Sequence, residues 1–202
     1  IASGAQERPA ESAVLLSSLG YAYELPGGDW ADRFGPAYSL QFQAEWLTVG
    51  DWGLRVEGAY LFGTRVKEDV LRHLRTPEGQ LIGNDRSPVD IQLRQRGWWL
   101  GLGGSRLLRM GPSSRSGLVI SASTGLLQHW IRIQDDPLAE VPQLNESLKK
   151  GYDRLANGPY LAAGLGYRYL ADDRRINLYL GLELTRGFTQ NRRSLDYDLQ
   201  TR

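Results

Sequence analysis

The stretch Ile176-Asn177-Leu178-Tyr179-Leu180-Gly181-Leu182-Glu183-Leu184-Thr185-Arg186-Gly187-Phe188 decides the fold class. Its even positions Ile176, Leu178, Leu180, Leu182 and Leu184 are apolar, whereas Asn177, Gly181, Glu183 and Thr185 at odd positions are polar or small. Successive side chains of a β-strand point to opposite faces, so this alternation describes a strand with one apolar face. Soluble sandwich strands run about five or six residues, while a tilted strand needs about nine to eleven to cross a bilayer. This stretch has the longer, membrane-crossing length.

The same period recurs upstream. Tyr38, Leu40, Phe42, Ala44 and Trp46 alternate with Ser39, Gln41, Gln43 and Glu45. Leu54, Val56, Gly58, Tyr60 and Phe62 alternate with Arg55, Glu57, Ala59 and Leu61. Between Tyr160 and Leu170, Leu161, Ala163, Leu165, Tyr167 and Tyr169 alternate with Ala162, Gly164, Gly166 and Arg168. Less regular strands are read over Val14 to Glu24, Arg94 to Leu107 and Leu118 to Ile133. The connections Leu25 to Pro36, Thr64 to Gln92 and Gln134 to Gly158 are long; those at Gly50-Asp51-Trp52, Gly111-Pro112-Ser113 and Ala171 to Arg175 are short. Long and short loops in strict alternation predict an up-and-down antiparallel transmembrane β-barrel, all-β and forming one domain over residues 1–202, with long loops outside and short turns in the periplasm. Tyr21, Tyr23, Trp46, Trp52, Tyr60, Phe62, Trp130, Tyr167, Tyr169 and Phe188 lie near strand ends, as interfacial aromatic girdles do. Seven strands are present, and single-chain bacterial barrels have even numbers, so eight are expected, with a closing strand beyond the tail Asp196 to Arg202.

Composition fits this reading. With 24 Lys+Arg against 23 Asp+Glu, the chain has no basic surplus to neutralise nucleic-acid phosphates. It has no Cys, which excludes disulfides and thiolate metal sites. The 24 Gly, six Trp and ten Tyr beside a single Met favour strands and turns. No apolar run of about 18 residues is present, so no membrane helix is expected, and a mean hydropathy of −0.40 suits a barrel in which only alternate residues meet lipid. The opening Ile1-Ala2-Ser3-Gly4 has neither the basic nor the apolar region of a signal peptide. A cytoplasmic protein and a secreted one whose signal has been removed both fit it.

Leu25-Pro26-Gly27-Gly28-Asp29-Trp30-Ala31-Asp32-Arg33-Phe34-Gly35, leading into Gly53 to Gly63, resembles the opening of a family of small eight-stranded outer-membrane barrels of Bacteroidota without an assigned activity. Val141-Pro142-Gln143-Leu144 with Lys149-Lys150-Gly151-Tyr152-Asp153-Arg154-Leu155 is similar to that family's third long loop, and Gly187 to Ser194 to the exit of its seventh strand. The resemblance implies the same fold, an outer-membrane location, an aromatic-rich eighth strand that this chain lacks, and service as an accessory subunit of a secretion or barrel-assembly machine.

Several residues carry candidate chemistry. His129 shares a strand face with Ser121, Ser123 and Gly125, but Ser123 lies six residues away along the strand, about 20 Å, too far to be its nucleophile. Gly101-Leu102-Gly103-Gly104 and Gly164-Leu165-Gly166 lack the Lys-Ser/Thr and helix of a phosphate loop and read as strand glycines. By alternation Glu45, Arg55, Glu57, Arg168 and Glu183 face the interior, together with Glu24 and Arg96. Mixed charges inside a narrow barrel predict an ion-pair plug rather than a catalytic carboxylate pair. No catalytic residue, metal or cofactor is assigned, and the function read is a non-enzymatic structural or accessory subunit. An outer-membrane lipid- or peptide-modifying enzyme and a soluble lipocalin-like barrel, apolar inside, are the alternatives. Partners are expected to be membrane lipid and other proteins. Val70, Leu71 and Leu74 share one face of a short helix over residues 66–75, which either packs on its own barrel rim or docks another protein; Leu138, Val141, Leu144 and Leu148 are a further candidate contact surface, with Tyr152 and Arg154 as interface anchors.

Overall fold

The computed structural model describes residues 12–84, 86–110, 115–134, 141, 144, 146–171 and 176–193. The expected turn at Gly111 to Ser113, most of the one at 171–175, Leu138 and the tail beyond Arg193 lie outside these residues. Seven long strands form one antiparallel meander: β1 (Val14–Glu24), β2 (Ala37–Leu47), β3 (Trp52–Gly63), then, after the two-residue strands β4 (Leu81–Ile82) and β5 (Pro88–Val89), β6 (Gln92–Arg109), β7 (Gly117–Gln134), β8 (Ala156–Leu170) and β9 (Asn177–Gly187). A short β10 (Gln190–Asn191) also pairs with β8. Helices α1 (Asp29–Arg33) and α2 (Glu146–Lys149) sit in the first and third long loops. Each long strand pairs with its sequence neighbour, and the sheet curls into a half-barrel. Among the described residues β1 pairs only with β2 and, of the two end strands, β9 only with β8; the two edges meet where Asn177 Nδ2 donates to Ser18 Oγ at 3.0 Å.

Alternation fixes which side chains are covered. Along β8, Tyr160, Ala162, Gly164, Gly166, Arg168 and Leu170 are buried, and Leu161, Ala163, Leu165, Tyr167 and Tyr169 between them are exposed. The convex face is therefore the apolar one, contributed by all seven strands and including Leu19, Leu40, Leu54, Leu102, Leu126, Leu165 and Leu182. At the long-loop end of this face Tyr21, Tyr23, Tyr38, Tyr60 and Phe62 form a run of neighbouring rings with centroids 5.2–6.4 Å apart. At the other end Trp46, Trp52, Tyr167 and Tyr169 are exposed, and the Arg106 guanidinium lies 4.9 Å over the Trp52 ring.

The concave side is filled in layers. Leu16, Leu47, Leu107, Val119 and Leu170 close the short-turn end, and a larger cluster around Phe34, Val70, Leu71, Ile131 and Tyr152 closes the long-loop end. Between them lies the charged layer. The β6–β7 hairpin, 18 residues per strand or about 60 Å, outruns its neighbours and carries the upper cluster.

The second long loop departs from the expected helix. Only Arg72–Leu74 make one turn of 3-10 helix. The Asp69 carboxylate accepts from the backbone N–H of Leu71 (3.2 Å) and from Arg75 Nε (2.6 Å), an alternative to helical bonding that ends the turn early. Arg96 also departs from expectation. It pairs in register with Phe62 and Trp130 on the outer face, and Gln95 occupies the buried inward position. One residue of register exchanges the two faces, and the parity of Trp98, Leu100 and Leu102 carries Arg96 outward with them.

The interior glycines are set by packing. Tyr160, Gly125, Gly101 and Glu57 are consecutive cross-strand partners, and a Cβ at Gly101 meets the Tyr160 hydroxyl and the Thr124 carbonyl oxygen. At Gly104 the nearest atom to a built Cβ is the Gly53 oxygen, 3.8 Å away. Gly101→Val should therefore destabilise by about 1–3 kcal/mol, the usual cost of overpacking, and Gly104→Val should be tolerated. Urea midpoints of the two variants in detergent check this; equal losses contradict the packing argument.

Candidate functional site

The charged layer is built by inward positions of β2, β3, β6 and β8. Arg168 on β8 is 2 % exposed and ion-paired across the interior with Glu45 on β2, which is 0 % exposed. Ser105 also donates to Glu45, and Gln43 Nε2 donates to its second oxygen at 3.1 Å. Arg55 Nη2 lies 2.9 Å from Glu57 Oε2 and donates to Gln43 Oε1 at 2.7 Å. The Tyr160 hydroxyl, crossing the Gly101–Gly125 gap, donates to Glu57 Oε1 at 3.4 Å. Glu45, Gln43, Arg55, Glu57 and Tyr160 thus form one connected network with Arg168 at one end. Arg168 Nε and Nη1 find no hydrogen-bond partner among the described residues, so Glu45 is the group that offsets its charge.

Glu183 stands apart. It occupies the inward parity of β9 opposite Gly164, but β9 is an end strand and the side chain is exposed. Its hydrogen bond comes from Thr185 Oγ1 at 3.4 Å, and no ion pair reaches it among the described residues. Glu24, half-buried at the long-loop end, accepts from Ser39 Oγ at 2.6 Å.

Above the network the long loops fold back on the sheet. His129, 1 % exposed, is packed edge-on against Trp30 (5.1 Å) and Phe34 (5.9 Å), and its Nε2 lies 3.3 Å from the Thr189 hydroxyl. A general base needs a nucleophile and a reachable substrate. His129, wedged between two rings and 1 % exposed, has only the Thr189 hydroxyl within reach among the described residues and packs as part of the cap. Val70 and Leu71 are fully buried, Leu144 is buried, and Val141 and Leu74 pack against the same cluster. The expected interface anchors are turned inward as well. Tyr152 and Arg154 are each 7 % exposed. Tyr152 stacks on His73 with centroids 5.4 Å apart and bonds its Nε2 at 3.1 Å. Arg154 Nε lies 3.0 Å from Glu68 Oε1, and Glu68 Oε2 accepts from Arg33 Nε at 2.6 Å, which ties the three long loops together. Both residues are turned into the cap, because apolar side chains in the long loops pack on the nearest uncovered core and draw their neighbours in.

The sequence reading missed Gln43, Ser105 and Tyr160 in the network and Trp30 and Phe34 in the cap. The first three share the inward parity of the charged positions, a signal that a search for charge alone passes over. Trp30 and Phe34 lie in a loop, where no period marks a face. Among the described residues no cluster of three or more metal-ligating side chains occurs, and no helix is long and apolar enough to cross a membrane. Comparison with known proteins finds no matching family model, no matching curated protein and no matching solved structure.

Removing one member of a buried ion pair leaves the other uncompensated, at about 3–5 kcal/mol. Glu45→Gln should reach that range. Adding Arg168→Met to Glu45→Gln should recover most of the loss, as a double-mutant cycle of unfolding free energies will show; additive losses contradict direct pairing. In the cap, Tyr152→Ala should speed backbone hydrogen exchange across 64–91 and leave the exchange of β2 and β8 unchanged.

Proposed function

We propose that this chain is a non-enzymatic outer-membrane β-barrel that serves as a structural or accessory subunit of a multiprotein outer-membrane complex, of the secretion or barrel-assembly type. The observation that carries the membrane part is the inversion of the usual polarity. The leucine-bearing face of every long strand is exposed, bounded by aromatic residues at both ends, and the charged Glu45, Arg55, Glu57 and Arg168 are inside; on the end strand β9 both faces are exposed. A lipocalin-like soluble barrel has the opposite arrangement, with an apolar interior and a polar exterior. Exposed apolar surface of this extent needs a cover. Hydrocarbon supplies one without hydrogen-bonding demands along the paired ladders, and the outer edges of β1 and β9 call for a further strand there.

The interior supports a supporting role more than transport. An apolar layer, a bonded charged layer and an apolar cap fill it in sequence, and side chains fill a barrel of about eight strands. The non-enzymatic reading is supported by His129, which sits between rings, and by the carboxylates Glu45 and Glu57, which are each ion-paired with an arginine. What remains available for recognition is the outer wall and the unpaired edges. Leu180, Leu182 and Leu184 on β9 and Leu19 on β1 are 81–85 % exposed, the most exposed apolar residues on the long strands. The loop motifs that resemble the small Bacteroidota barrels point to the same accessory role.

Extracted from native outer membranes in mild detergent, the protein should migrate as one discrete assembly larger than its monomer and yield no resolved channels in planar bilayers. Leu180→Arg should cost about 2–4 kcal/mol of stability in bilayers. A purely monomeric species contradicts the subunit role, and stable single-channel currents contradict the filled interior.

A further inference from the structure

The outer wall of the β6–β7 hairpin changes character toward the long loops. Its outward pairs run Leu100 opposite Leu126, Trp98 opposite Gln128, Arg96 opposite Trp130 and Arg94 opposite Arg132. Two arginines directly opposed across an antiparallel ladder repel each other. Arg132 is exposed; Arg94 donates to Gln92, and Arg96 Nη1 donates to the backbone oxygens of Gln95 (2.7 Å) and Gly63 (3.4 Å). No ion pair to Arg94, Arg96 or Arg132 occurs among the described residues. Beside them a groove of about 450 Å³ is lined by Trp130, Arg132, Gln134, Lys149, Lys150 and Asp153, among others. Its acid is already engaged: Arg193 Nε donates to Asp153 Oδ1 at 2.8 Å, a bond that also holds the Arg193 guanidinium above its ordinary range.

We infer that this face, built by Arg94, Arg96, Arg132 and Lys150 above Trp130, binds the phosphate of an anionic lipid headgroup in the leaflet next to the long loops. The order along the wall is aliphatic, then aromatic, then guanidinium, which follows a lipid from acyl chain through interface to phosphate. A phosphate between Arg94 and Arg132 removes their repulsion and takes bidentate, charge-assisted hydrogen bonds from both planes. The groove beside Trp130 leaves room for the rest of the headgroup.

This inference rests on the membrane reading, and its test separates the two. The full chain is reconstituted in phosphatidylcholine nanodiscs with a graded fraction of phosphatidic acid, and the bound lipid is counted by native mass spectrometry. Insertion is scored independently by protease protection. The wild type should enrich phosphatidic acid over phosphatidylcholine, and Arg94→Gln with Arg132→Gln and Lys150→Gln should lower that enrichment by about tenfold or more with unchanged insertion. A control carrying Arg65→Gln, Arg72→Gln and Arg86→Gln on the second long loop should keep it. Insertion with equal enrichment in wild type and triple variant overturns this inference alone. Displacement of the lipid by millimolar inorganic phosphate assigns the site to free phosphate and overturns it too. Failure of the wild type to insert overturns the membrane reading and this inference with it.

Discussion

A guanidinium buried inside a protein has to be offset by a carboxylate, and in this chain Arg168 meets Glu45 across the width of the curled sheet. The rest of the interior follows from that contact. Strands β8 and β2 are not neighbours, so the pair holds only if the sheet curls enough to bring them face to face. Curling crowds the concave side, and the inward positions of the intervening strands accordingly carry Gly53, Gly101, Gly103 and Gly125. The space so made admits Tyr160, whose hydroxyl donates to Glu57, while Gln43, accepting from Arg55 and donating to Glu45, joins the second ion pair to the first. A polar layer whose charges are paired this way sits between the apolar layers above and below it, and the three stack as one filled interior.

The inverted polarity of the wall follows from the same alternation. When charges take the inward parity, the leucines and aromatics of each strand are left outward, and among the described residues no second layer of protein covers them. In water such a face associates or aggregates; in hydrocarbon it is the stable arrangement. The ring run of Tyr21, Tyr38, Tyr60 and Phe62 at one rim and Trp46, Trp52 and Tyr169 at the other bound the apolar zone, where side chains with a polar tip and an apolar body are most at ease.

Strand positions were legible in the sequence because a two-residue period survives any register that keeps the faces sorted. Val14–Glu24 and the alternation through Leu161 to Tyr169 fall where the pattern puts them. Parity also assigned Arg55, Glu57, Glu45 and Arg168 to the interior. What parity does not encode is reach across the sheet. It gave no means of knowing that Arg168 meets Glu45, or that Glu183, on an end strand, meets no arginine among the described residues. The loops were the least legible. Val70 and Leu71 left rim packing and docking equally open, and Tyr152 and Arg154 read as surface, yet tertiary packing draws Val70, Leu71 and Tyr152 onto the cluster of Phe34 and Ile131 and pairs Arg154 with Glu68. Arg96 shows the opposite failure, a charge grouped with the inward ones although the parity of Trp98 and Leu100 and the register neighbours Phe62 and Trp130 carry it outward.

The central claim is that the exposed face of this sheet is a lipid face. The natural absence of cysteine allows single nitroxide labels to be placed one at a time at 161 to 166 on β8 in lipid vesicles, with accessibility to oxygen compared with that to a water-soluble nickel chelate. The account predicts a two-residue oscillation, with oxygen accessibility highest at 161, 163 and 165 and both quenchers weak at 162, 164 and 166. Nickel accessibility highest at 161, 163 and 165 would place that face in water and contradict it.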